Sequence, residues 1–415
     1  MKSIAIIGGG ITGVTSAYAL ARRGLAVTLF ERHRYAAMET SFANGGQLSA
    51  SNAEVWNHTA TVLKGLKWML KGDAPLLVNP RPGWHKLSWF AEFLANIPHY
   101  RRNTIETARL AVAAREHLFG WAEAERIDFD LRKQGILHIY RDRAGFEHAG
   151  EVSKLLAAGG LPRRAVTPVE MRAIEPTLAG DYFGGYYTES DATGDIHKFT
   201  VGLAAACERL GVRFVYGADV RSLHSDGECA TVRRGCADGS VDEQPFDAVL
   251  VCAGVASRGF ASQLGDRVNV YPVKGYSITV NLLDAASQAG APTVSLLDDA
   301  AKLVTSRLGV DRFRVAGTAE FNGFNRDIRA DRIRPLVDWV NACFPQVNTR
   351  QVVPWAGLRP MMPDMLPRVG RGRKANVFYN TGHGHLGWTL SAVTAEMVAT
   401  LMQGEQRRGL VAMPA

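Results

Sequence analysis

The stretch Ser3-Ile4-Ala5-Ile6-Ile7-Gly8-Gly9-Gly10-Ile11-Thr12-Gly13 decides the fold class of this chain of 415 residues. Its first five residues form an apolar run, which predicts a short parallel strand buried on both faces. Residues 14–23 have the spacing of a helix, Gly24 suits its C-terminus, and residues 25–30 predict a second apolar strand. Together these segments predict a strand–turn–helix–strand unit of an α/β fold.

Three glycines of this turn have the G-x-G-x-x-G spacing of a dinucleotide-binding fingerprint. Gly8 permits the tight turn, Gly10 lets a pyrophosphate approach the backbone, and Gly13 lets the helix pack closely against the sheet. The helix N-terminus offers free N–H groups and the positive end of its dipole to the phosphates. The alternative is an ordinary strand–turn–helix without a ligand, but the flanking strand and helix favour the dinucleotide.

Glu31 follows the second strand at the distance where such units carry an acid for the ribose hydroxyl groups. A carboxylate at this point argues against a 2′-phosphate and therefore against NADP. The fingerprint by itself leaves FAD and NAD as alternatives.

The overall composition is that of an ordinary globular protein, with 47% hydrophobic and 21% charged residues. Lys and Arg outnumber Asp and Glu by 48 to 40, which favours anionic partners such as a nucleotide, a carboxylate substrate or an acidic membrane surface. The basic residues form no long run, so we predict no nucleic-acid partner.

The five cysteines have no CxxC spacing, so we predict neither a disulfide framework nor a metal site, and a reducing compartment is the default. The N-terminus lacks the pattern of a signal peptide, and no apolar window of about 18 residues predicts a membrane-spanning helix. These observations predict a cytoplasmic protein.

Three later apolar segments, at residues 211–218, 246–252 and 376–380, predict further strands of the nucleotide-binding sheet. Between them, residues 55–130 have helical spacing, whereas residues 135–190 and 268–360 alternate as antiparallel strands do. We therefore predict an α/β fold in which a Rossmann-like cofactor-binding domain is interleaved with an α+β substrate domain built on an antiparallel sheet. The predicted boundaries are 1–55, 192–266 and 364–415 for the former, and 56–191 and 267–363 for the latter.

Five blocks in the same order resemble the D-amino acid dehydrogenases, a bacterial branch of the D-amino acid oxidase and glycine oxidase superfamily. They are residues 8–13, residues 39–47 (Glu-Thr-Ser-Phe-Ala-Asn-Gly-Gly-Gln), residues 271–277 (Tyr-Pro-Val-Lys-Gly-Tyr-Ser), residues 357–364 (Gly-Leu-Arg-Pro-Met-Met-Pro-Asp) and residues 380–389 (Asn-Thr-Gly-His-Gly-His-Leu-Gly-Trp-Thr). The resemblance implies FAD and the oxidation of D-amino acids to imino acids, which hydrolyse to 2-oxo acids and ammonia. It also implies that electrons pass to a membrane quinone or a dye rather than to oxygen.

The resemblance assigns Arg359 to the α-carboxylate of the substrate. A guanidinium offers a planar fork of donors that matches a carboxylate. The alternative is a structural arginine paired with an acid such as Asp364.

The resemblance places the loop from Thr40 to Gln47 along the ribityl chain and the flavin, and its small and amide side chains suit that place. Gly382 and Gly384 let the turn before the last helix approach the flavin, whose negative charge the helix N-terminus can stabilise. His383 and His385 can orient substrate or flavin, or they are ordinary turn residues.

No cysteine lies in this turn or near Arg359, so we predict non-covalent FAD. The residues expected to contact FAD are Gly8, Gly10, Ile11, Thr12, Gly13, Glu31, Arg32, Thr40, Ser41, Asn44, Gly45, Gly46, Gln47, Val220, Ala253, Gly254, Gly382, Gly384, His385, Leu386, Gly387, Trp388 and Thr389.

Tyr271 and Tyr276 are an odd number of residues apart, so a regular strand directs them to opposite faces. We predict that Tyr276 faces the substrate, because the adjacent Gly275 leaves room. The alternative is a core tyrosine whose hydroxyl is hydrogen-bonded within the protein.

The segment from Val62 to Tyr100 contains Trp68, Trp84 and Trp89 among leucines and basic residues, a mixture that suits a membrane interface. It would let the enzyme dock on the inner face of the cytoplasmic membrane and reach quinone. The alternative is a set of helices packed on the substrate domain.

Three other functions compete with D-amino acid oxidation. The first is oxidation of secondary amines such as sarcosine, proline or hydroxyproline. The second is an NAD-dependent dehydrogenase, and the third is a non-catalytic FAD-binding electron-relay subunit.

Overall fold

The computed structural model describes residues 3–68, 74–235 and 239–407. The predicted segments Val62 to Tyr100 and 364–415, as well as Cys236, lie partly or wholly outside these ranges. Within them, no helix is both long enough and apolar enough to cross a bilayer.

The strands in chain order are β1 Ser3–Ile7, β2 Ala26–Glu31, β3 Gln47–Leu48, β4 Leu76–Val78, β5 Ile136–Tyr140, β6 Arg164–Val166, β7 Gly184–Thr188, β8 Ala192–Thr193, β9 Arg213–Tyr216, β10 Asp219–Ser225, β11 Ala230–Gly235, β12 Val241–Phe246, β13 Ala248–Val251, β14 Tyr271–Asn281, β15 Ser295–Asp298, β16 Leu303–Leu308, β17 Arg312–Phe321, β18 Val352–Met361, β19 Arg368–Arg371 and β20 Val377–Thr381. The helices are α1 Ile11–Ala21, α2 Thr59–Trp68, α3 Trp84–Ala95, α4 Tyr100–Ala124, α5 Arg143–Ala158, α6 Pro168–Ile174, α7 Ile196–Arg209, α8 Ser257–Gln263, α9 Ala285–Gly290, α10 Ala330–Cys343 and α11 Gly387–Arg407.

A six-stranded sheet in the order β19-β20-β13-β1-β2-β9 contains the fingerprint strand near its centre. All its pairings are parallel except that of β19 with β20. The apolar runs of β1 and β13 are buried on both faces, as parallel strands require. Ile4 and Ile6 pack towards α1, α7 and α11, whereas Ala5 and Ile7 pack towards the other face.

The other face of this sheet is covered by a separate antiparallel sheet, β10-β11-β12, and by α8. Leu223, Val232 and Phe246 of the three-stranded sheet pack against Val249 and Val251 of β13. The sequence analysis did not identify these three strands individually, because their outward-facing residues are polar and charged.

The second large sheet runs β18-β14-β17-β16-β15-β5-β7-β6, with β4 attached to β17. The pairings of this sheet are antiparallel, as predicted, except in two places, where β5 pairs with β15 and β4 pairs with β17 in parallel. These partners are separated by more than 150 residues, and only the tertiary fold decides their direction. Residues 135–190 also contain α5 and α6 besides the predicted strands.

One face of β14 packs against α10. Ile278 and Val280 of β14 share a core with Leu336 and Val340 of the helix. The residues that alternate with them, Tyr271 and Val273, pack instead with Trp89 and Phe93 of α3. The large sheet therefore presents one face to α10 and the other to α3 and the loops around the fingerprint.

Candidate functional site

The fingerprint glycines have the conformations that the turn demands. Gly8 has φ +108°, and a Cβ on it would lie 2.7 Å from the carbonyl oxygen of Cys252. A Cβ on Gly13 would lie 1.8 Å from the carbonyl oxygen of Gly8, so α1 packs too close for any side chain there. A Cβ on Gly10 would make only ordinary contact, 3.5 Å from Ser41 Oγ, and the backbone remains approachable at that point.

The N-terminus of α1 has the donor set that a pyrophosphate needs. Gly10 is its N-cap and supplies no side-chain cap to the first amides. Ser41 Oγ accepts the N–H of Ile11 at 3.0 Å, which joins the Thr40–Gln47 loop to this helix end. Thr12 remains partly exposed beside it. The positive end of the α1 dipole and the backbone amides of its first turn thus lie at the position predicted for the phosphates.

Glu31 is buried, and its two oxygens accept backbone N–H groups of Gly9 at 2.6 Å and His33 at 2.8 Å. The carboxylate therefore holds the glycine turn in addition to the ribose-binding role predicted for it. Each oxygen retains a second lone pair for a hydroxyl donor. The side chain of Arg32 is half-exposed and forms an ion pair with Glu39.

The remaining predicted contacts at this end lie beside the same strands. Gly217 and Ala218 donate their N–H groups to the carbonyls of His33 and Glu31, and Val220 is the second residue of β10, which begins directly after them. Gly254 has φ +53° and follows the strand that pairs with β1. Val220, Ala253 and Gly254 are all partly exposed.

The Thr40–Gln47 loop lies against the large sheet. Thr40 Oγ1 donates to the Leu358 carbonyl at 2.9 Å, and Ser277 Oγ donates to the Ala43 carbonyl at 2.9 Å. A Cβ on Gly45 would lie 2.5 Å from Val304 Cγ2, and one on Gly46 would lie 2.8 Å from Ser306 Oγ. The small residues of this loop are thus required by close packing on β16, a reason that the sequence did not reveal.

At the ends of this loop, polar side chains make local bonds. Asn44 Oδ1 accepts the N–H of Gly46 at 2.9 Å, and Gln47 Nε2 donates to Ser295 Oγ at 2.7 Å. The loop therefore connects the N-terminus of α1 with the second large sheet.

Arg359 lies on β18 opposite Val273 of β14. Its Nη1 donates to the Thr318 carbonyl at 2.7 Å and its Nη2 to the Gly317 carbonyl at 3.4 Å. A Cβ on Gly275 would lie 2.4 Å from the guanidinium, so glycine is needed to make space for it. The side chain is only partly exposed. The surrounding protein removes most of its contact with water, and this desolvation lowers the pKa of Arg359 to about 10.

No carboxylate of the described chain lies within ion-pairing distance of Arg359. Asp364 accepts the N–H of Leu366 instead, so the alternative of an Arg359–Asp364 pair is wrong. Thr318, whose carbonyl accepts from Arg359, has φ +56°, a left-handed conformation that costs an ordinary residue about 1–2 kcal/mol. A desolvated charge without a counter-ion is energetically costly. The Arg359 guanidinium, whose protein partners are carbonyl groups, is therefore suited to binding an anion.

The structure favours the alternative for Tyr276, a core tyrosine whose hydroxyl is hydrogen-bonded within the protein, over the predicted place facing the substrate. The ring lies on the α10 face of β14, and its hydroxyl donates to Glu320 Oε2 at 2.7 Å. Burial and this carboxylate raise its pKa, and Arg332 of α10 lies 6.0 Å from the ring. Arg359 belongs to the opposite face with Tyr271, Val273 and Gly275. The alternation of Tyr271 and Tyr276 agrees with the prediction, but the element that each tyrosine faces could not be predicted, since only the neighbours of the sheet decide it.

The turn before α11 is tightly packed. Gly382 and Gly384 have φ +77° and +59°, and a Cβ on them would lie 2.5 Å from Met362 Cγ and 2.8 Å from Met361 Sδ. His383 is buried, with Nε2 2.9 Å from Thr394 Oγ1, and burial lowers its pKa to about 3. Its ring is therefore neutral and fixed against α11.

His385 is partly exposed and stacks on Trp56, with ring centroids 5.1 Å apart. Its Nε2 lies 3.2 Å from the Asn52 carbonyl. Desolvation lowers its pKa to about 4, and the charge of Arg359 contributes to the shift. A β-bridge between Met361 and His383 joins this turn to β18, the strand that carries Arg359.

Several buried polar atoms at this turn have no hydrogen-bond partner in the described chain: Nδ1 of His383, Nδ1 of His385 and Nε1 of Trp388. Buried polar atoms are nearly always paired, so these atoms fit a ligand that carries polar groups. The neighbouring Thr389 Oγ1 accepts the N–H of Ser49, and Leu386 packs in a core with Ala50. The residues of this turn fit the polar groups of FAD.

The sequence analysis did not identify Trp56 or Glu54 as candidate site residues. Glu54 accepts the hydroxyl of Tyr100 at 2.7 Å and lies 3.4 Å from His148 Nε2. Burial alone would raise the pKa of Glu54, but the bonds from His148 and Tyr100 hold it below the usual value. Neither Trp56 nor Glu54 has a local signal, because their partners are 46 to 329 residues away in sequence.

Comparison with known proteins identifies the family of this chain. Residues 3–401 match the DAO family, described as FAD dependent oxidoreductase. The chain is 61% identical over 406 residues to D-amino acid dehydrogenase 3 of Mesorhizobium japonicum, covering 97% of each chain. It is 40% identical to a D-amino acid dehydrogenase of Paramagnetospirillum magneticum, covering 97% of this chain and 95% of the relative.

Two solved structures have the same fold. Glycine oxidase from Geobacillus kaustophilus matches with a TM-score of 0.73 and 20% identity, covering 97% of this chain and 95% of the other. L-proline dehydrogenase from P. horikoshii matches with a TM-score of 0.76 and 16% identity, covering 97% and 94%. The family match settles the choice between FAD and NAD that the fingerprint left open. This chain belongs to the DAO family of FAD-dependent oxidoreductases.

Proposed function

We propose that this protein is a D-amino acid dehydrogenase, which oxidises a D-amino acid to an imino acid that hydrolyses to a 2-oxo acid and ammonia. The observation that carries the proposal is the Arg359 guanidinium, desolvated and without a carboxylate partner in the described chain. The 61% identity to a relative named D-amino acid dehydrogenase 3 supports the substrate class.

Arg359 binds the α-carboxylate through the donors that Thr318 and Gly317 leave free. Two charge-assisted bonds from one planar group fix the orientation of the substrate and hence the face of Cα that is presented. Bound FAD would supply the two-electron acceptor for the hydride that leaves Cα.

The walls of this site favour a neutral substrate amine. Trp56 and His385 form a stacked aromatic wall beside Arg359, and His385 is uncharged above a pH of about 4. The apolar cluster around Val55, Val273 and Met361 limits the access of water. A neutral amine keeps the lone pair that assists departure of the hydride.

We also propose that FAD is bound non-covalently and that FAD and the substrate are bound by different domains. FAD is held by the segments 1–55, 192–266 and 364–415, and the substrate by 56–191 and 267–363. Unfolding in acid should release all the flavin into the supernatant, whereas a yellow precipitate would contradict non-covalent binding.

The central experiment is anaerobic mixing of the purified yellow protein with a panel of D-amino acids. Loss of flavin absorbance with D-amino acids but not with their L enantiomers supports the proposal. Bleaching by sarcosine or hydroxyproline alone would assign the secondary-amine function instead, and bleaching by no amine would leave an electron-relay subunit. Oxygen uptake measured alongside distinguishes an oxidase from an enzyme that uses quinone.

We further propose that electrons pass to quinone and that α3 touches the membrane surface. Its outward residues Trp84, Leu87, Ala91, Leu94 and Ala95 are all apolar and exposed, at helical spacing. The residues that support the membrane contact differ from those that the sequence suggested. Trp89 is buried, and Lys86 donates to backbone carbonyl groups, so neither is free to contact lipid. Exposed Arg81, Arg101 and Arg102 flank the apolar stripe and suit anionic lipid headgroups.

Flotation with phosphatidylglycerol vesicles tests the membrane contact. The wild type should float with the vesicles, and Leu87→Asp should abolish flotation. The matched control Leu283→Asp changes a leucine that is 78% exposed outside this helix and should float as the wild type does. Equal behaviour of the two variants, or no flotation of the wild type, would remove the membrane contact.

A further inference from the structure

A cleft of about 250 Å³ opens beside the N-terminus of α3. One side comes from the segment before and within this helix, and the other from the start of β14 and the end of β17. The lining residues are Asn79, Arg81, Gly83, His85, Lys86, Tyr271, Phe321, Asn322, Gly323 and Phe324. Clefts for drug-sized ligands have about 300–1,000 Å³, so this one suits a single substituted ring.

Flat aromatic groups form the floor of the cleft. Tyr271 and Phe321 stack with centroids 5.6 Å apart and an interplanar angle of 26°. The His85 ring lies 4.8 Å from the Tyr271 ring. Such a surface favours a planar, apolar ring over a sugar or an aliphatic chain.

Polar groups of both kinds border this floor. His85 Nε2 donates to the Val270 carbonyl at 3.0 Å, which leaves Nδ1 as an acceptor. The ring is neutral, because desolvation and the charge of Arg258 lower its pKa to about 4. The guanidinium of Arg81 forms no ion pair with a carboxylate of the described chain, and it offers donors to a carbonyl oxygen.

The mouth of the cleft is apolar. Phe324 is 60% exposed and Trp84 is 79% exposed, and the apolar stripe of α3 continues from Trp84 to Leu87. A ligand whose ring sits in the cleft and whose tail is hydrocarbon would lay that tail along this stripe.

The floor of the cleft is one layer of side chains away from the turn that fits FAD. Val270, whose carbonyl holds His85, has its Cγ2 3.5 Å from the position of a Cβ on Gly382. Tyr271 pairs in register with Met361, and Met361 Sδ lies 2.8 Å from the position of a Cβ on Gly384.

From this arrangement we propose that the cleft is the binding site of the quinone acceptor. The quinone ring lies on the floor formed by Tyr271 and Phe321, beside Phe324, and the isoprenoid tail lies along α3. The inference rests on the proposed function, because it needs a reduced cofactor as electron donor. The quinone takes two electrons from that cofactor and two protons, one carried by the cofactor and one from solvent, and becomes the hydroquinone. Arg81 binds a carbonyl of the oxidised ring, and His85 Nδ1 accepts a hydroxyl of the reduced ring.

Two variants on opposite sides of the cleft test this assignment: Phe324→Asp and Arg81→Glu. Both residues are exposed, and neither belongs to a hydrophobic core. The matched control is Val310→Asp, a residue 70% exposed in the turn between β16 and β17. Melting temperatures establish that the three variants are folded.

The first readout is binding of a short-chain ubiquinone to the oxidised holoenzyme by titration calorimetry. We expect saturable binding by the wild type and the control, and at least tenfold weaker binding by both cleft variants. Equal affinity in all four proteins would overturn the assignment, as would the absence of binding to the wild type.

The second readout separates the two half-reactions by stopped flow. Reduction by a D-amino acid should stay within twofold of the wild type, while reoxidation by the quinone should slow at least tenfold in the cleft variants. If the variants slow reduction as strongly as reoxidation, the cleft is a substrate entrance and the quinone assignment fails. If no D-amino acid reduces the wild type, the proposed function fails, whereas the calorimetry still decides whether the cleft binds quinone.

Discussion

The indole of Trp56 stacks on the imidazole of His385, with ring planes 20° apart. The pair joins the segment before α2 to the turn before α11, and it stands beside the desolvated guanidinium of Arg359. A wall built from two distant segments keeps its shape only while both rings are present.

Trp56→Leu should reduce kcat/KM for a D-amino acid by up to about tenfold, because an aromatic pair contributes about 0.5–1.5 kcal/mol beyond its buried area. The flavin spectrum should remain unchanged, since the FAD-binding turn keeps its packing on Met361 and Met362. Steady-state kinetics with a dye acceptor measures the effect, and Phe183→Leu at an exposed aromatic residue outside the site is the matched control. An unchanged kcat/KM in Trp56→Leu would remove the pair from the substrate site.

Arg359→Met should lower kcat/KM by about 10²-fold or more while FAD stays bound, because two hydrogen bonds to a charged group are lost at about 1.5–3 kcal/mol each. Arg359→Lys should restore little, since an ammonium lacks the planar fork. Exposed Arg350→Met controls for the loss of one positive charge. Wild-type kinetics of Arg359→Met would refute the carboxylate-binding role.

Tyr276→Phe should leave kcat/KM within about twofold of the wild type but lower the free energy of unfolding by about 1–3 kcal/mol. The change removes the donor to the buried carboxylate of Glu320, and an unsatisfied buried acceptor costs about that amount. Urea unfolding of the holoenzyme measures the loss. Tyr187→Phe removes an exposed hydrogen bond and should cost much less. A large loss of activity in Tyr276→Phe would restore the original assignment of this tyrosine to the substrate.

The stability of the protein should depend on the neutral form of His85. Its pKa in the folded state is about 4, below the ordinary histidine pKa of 6.5. Between these values the unfolded chain binds the extra proton, so this contribution is complete above the unfolded pKa and is lost as the pH falls towards 4.

His85→Asn should therefore reduce the fall in unfolding free energy between pH 7.5 and pH 5.0. One histidine contributes up to about 1.4 kcal/mol per pH unit below its unfolded pKa, or about 2 kcal/mol over this interval. Urea unfolding of wild type and variant at both pH values provides the comparison. An equal pH dependence of the two proteins would contradict the lowered pKa.

Much of the cofactor-binding half could be predicted from local sequence. The apolar run before Gly8 can be buried only as a central strand, and the conformations of Gly8 and Gly13 follow from the turn that must connect this strand to a helix. Glu31 was predicted at the ribose end, but its bonds to the N–H groups of Gly9 and His33 appear only in the folded chain.

The substrate side depended on contacts that no local pattern contains. The five-residue separation of Tyr271 and Tyr276 required opposite faces, but only the packing of α10 against β14 decided that Tyr276 points away from Arg359. The bonds of Arg359 to the carbonyl groups of Thr318 and Gly317 cross 41 and 42 residues of sequence, and the stacking of Trp56 on His385 joins segments that are still further apart. The sequence by itself determined the dinucleotide-binding unit and, through its resemblance, the family, because short-range spacing specifies strand, turn and helix. The tertiary structure alone decided which side chains share a face with Arg359, because the two faces of a sheet become different only when other elements pack against them.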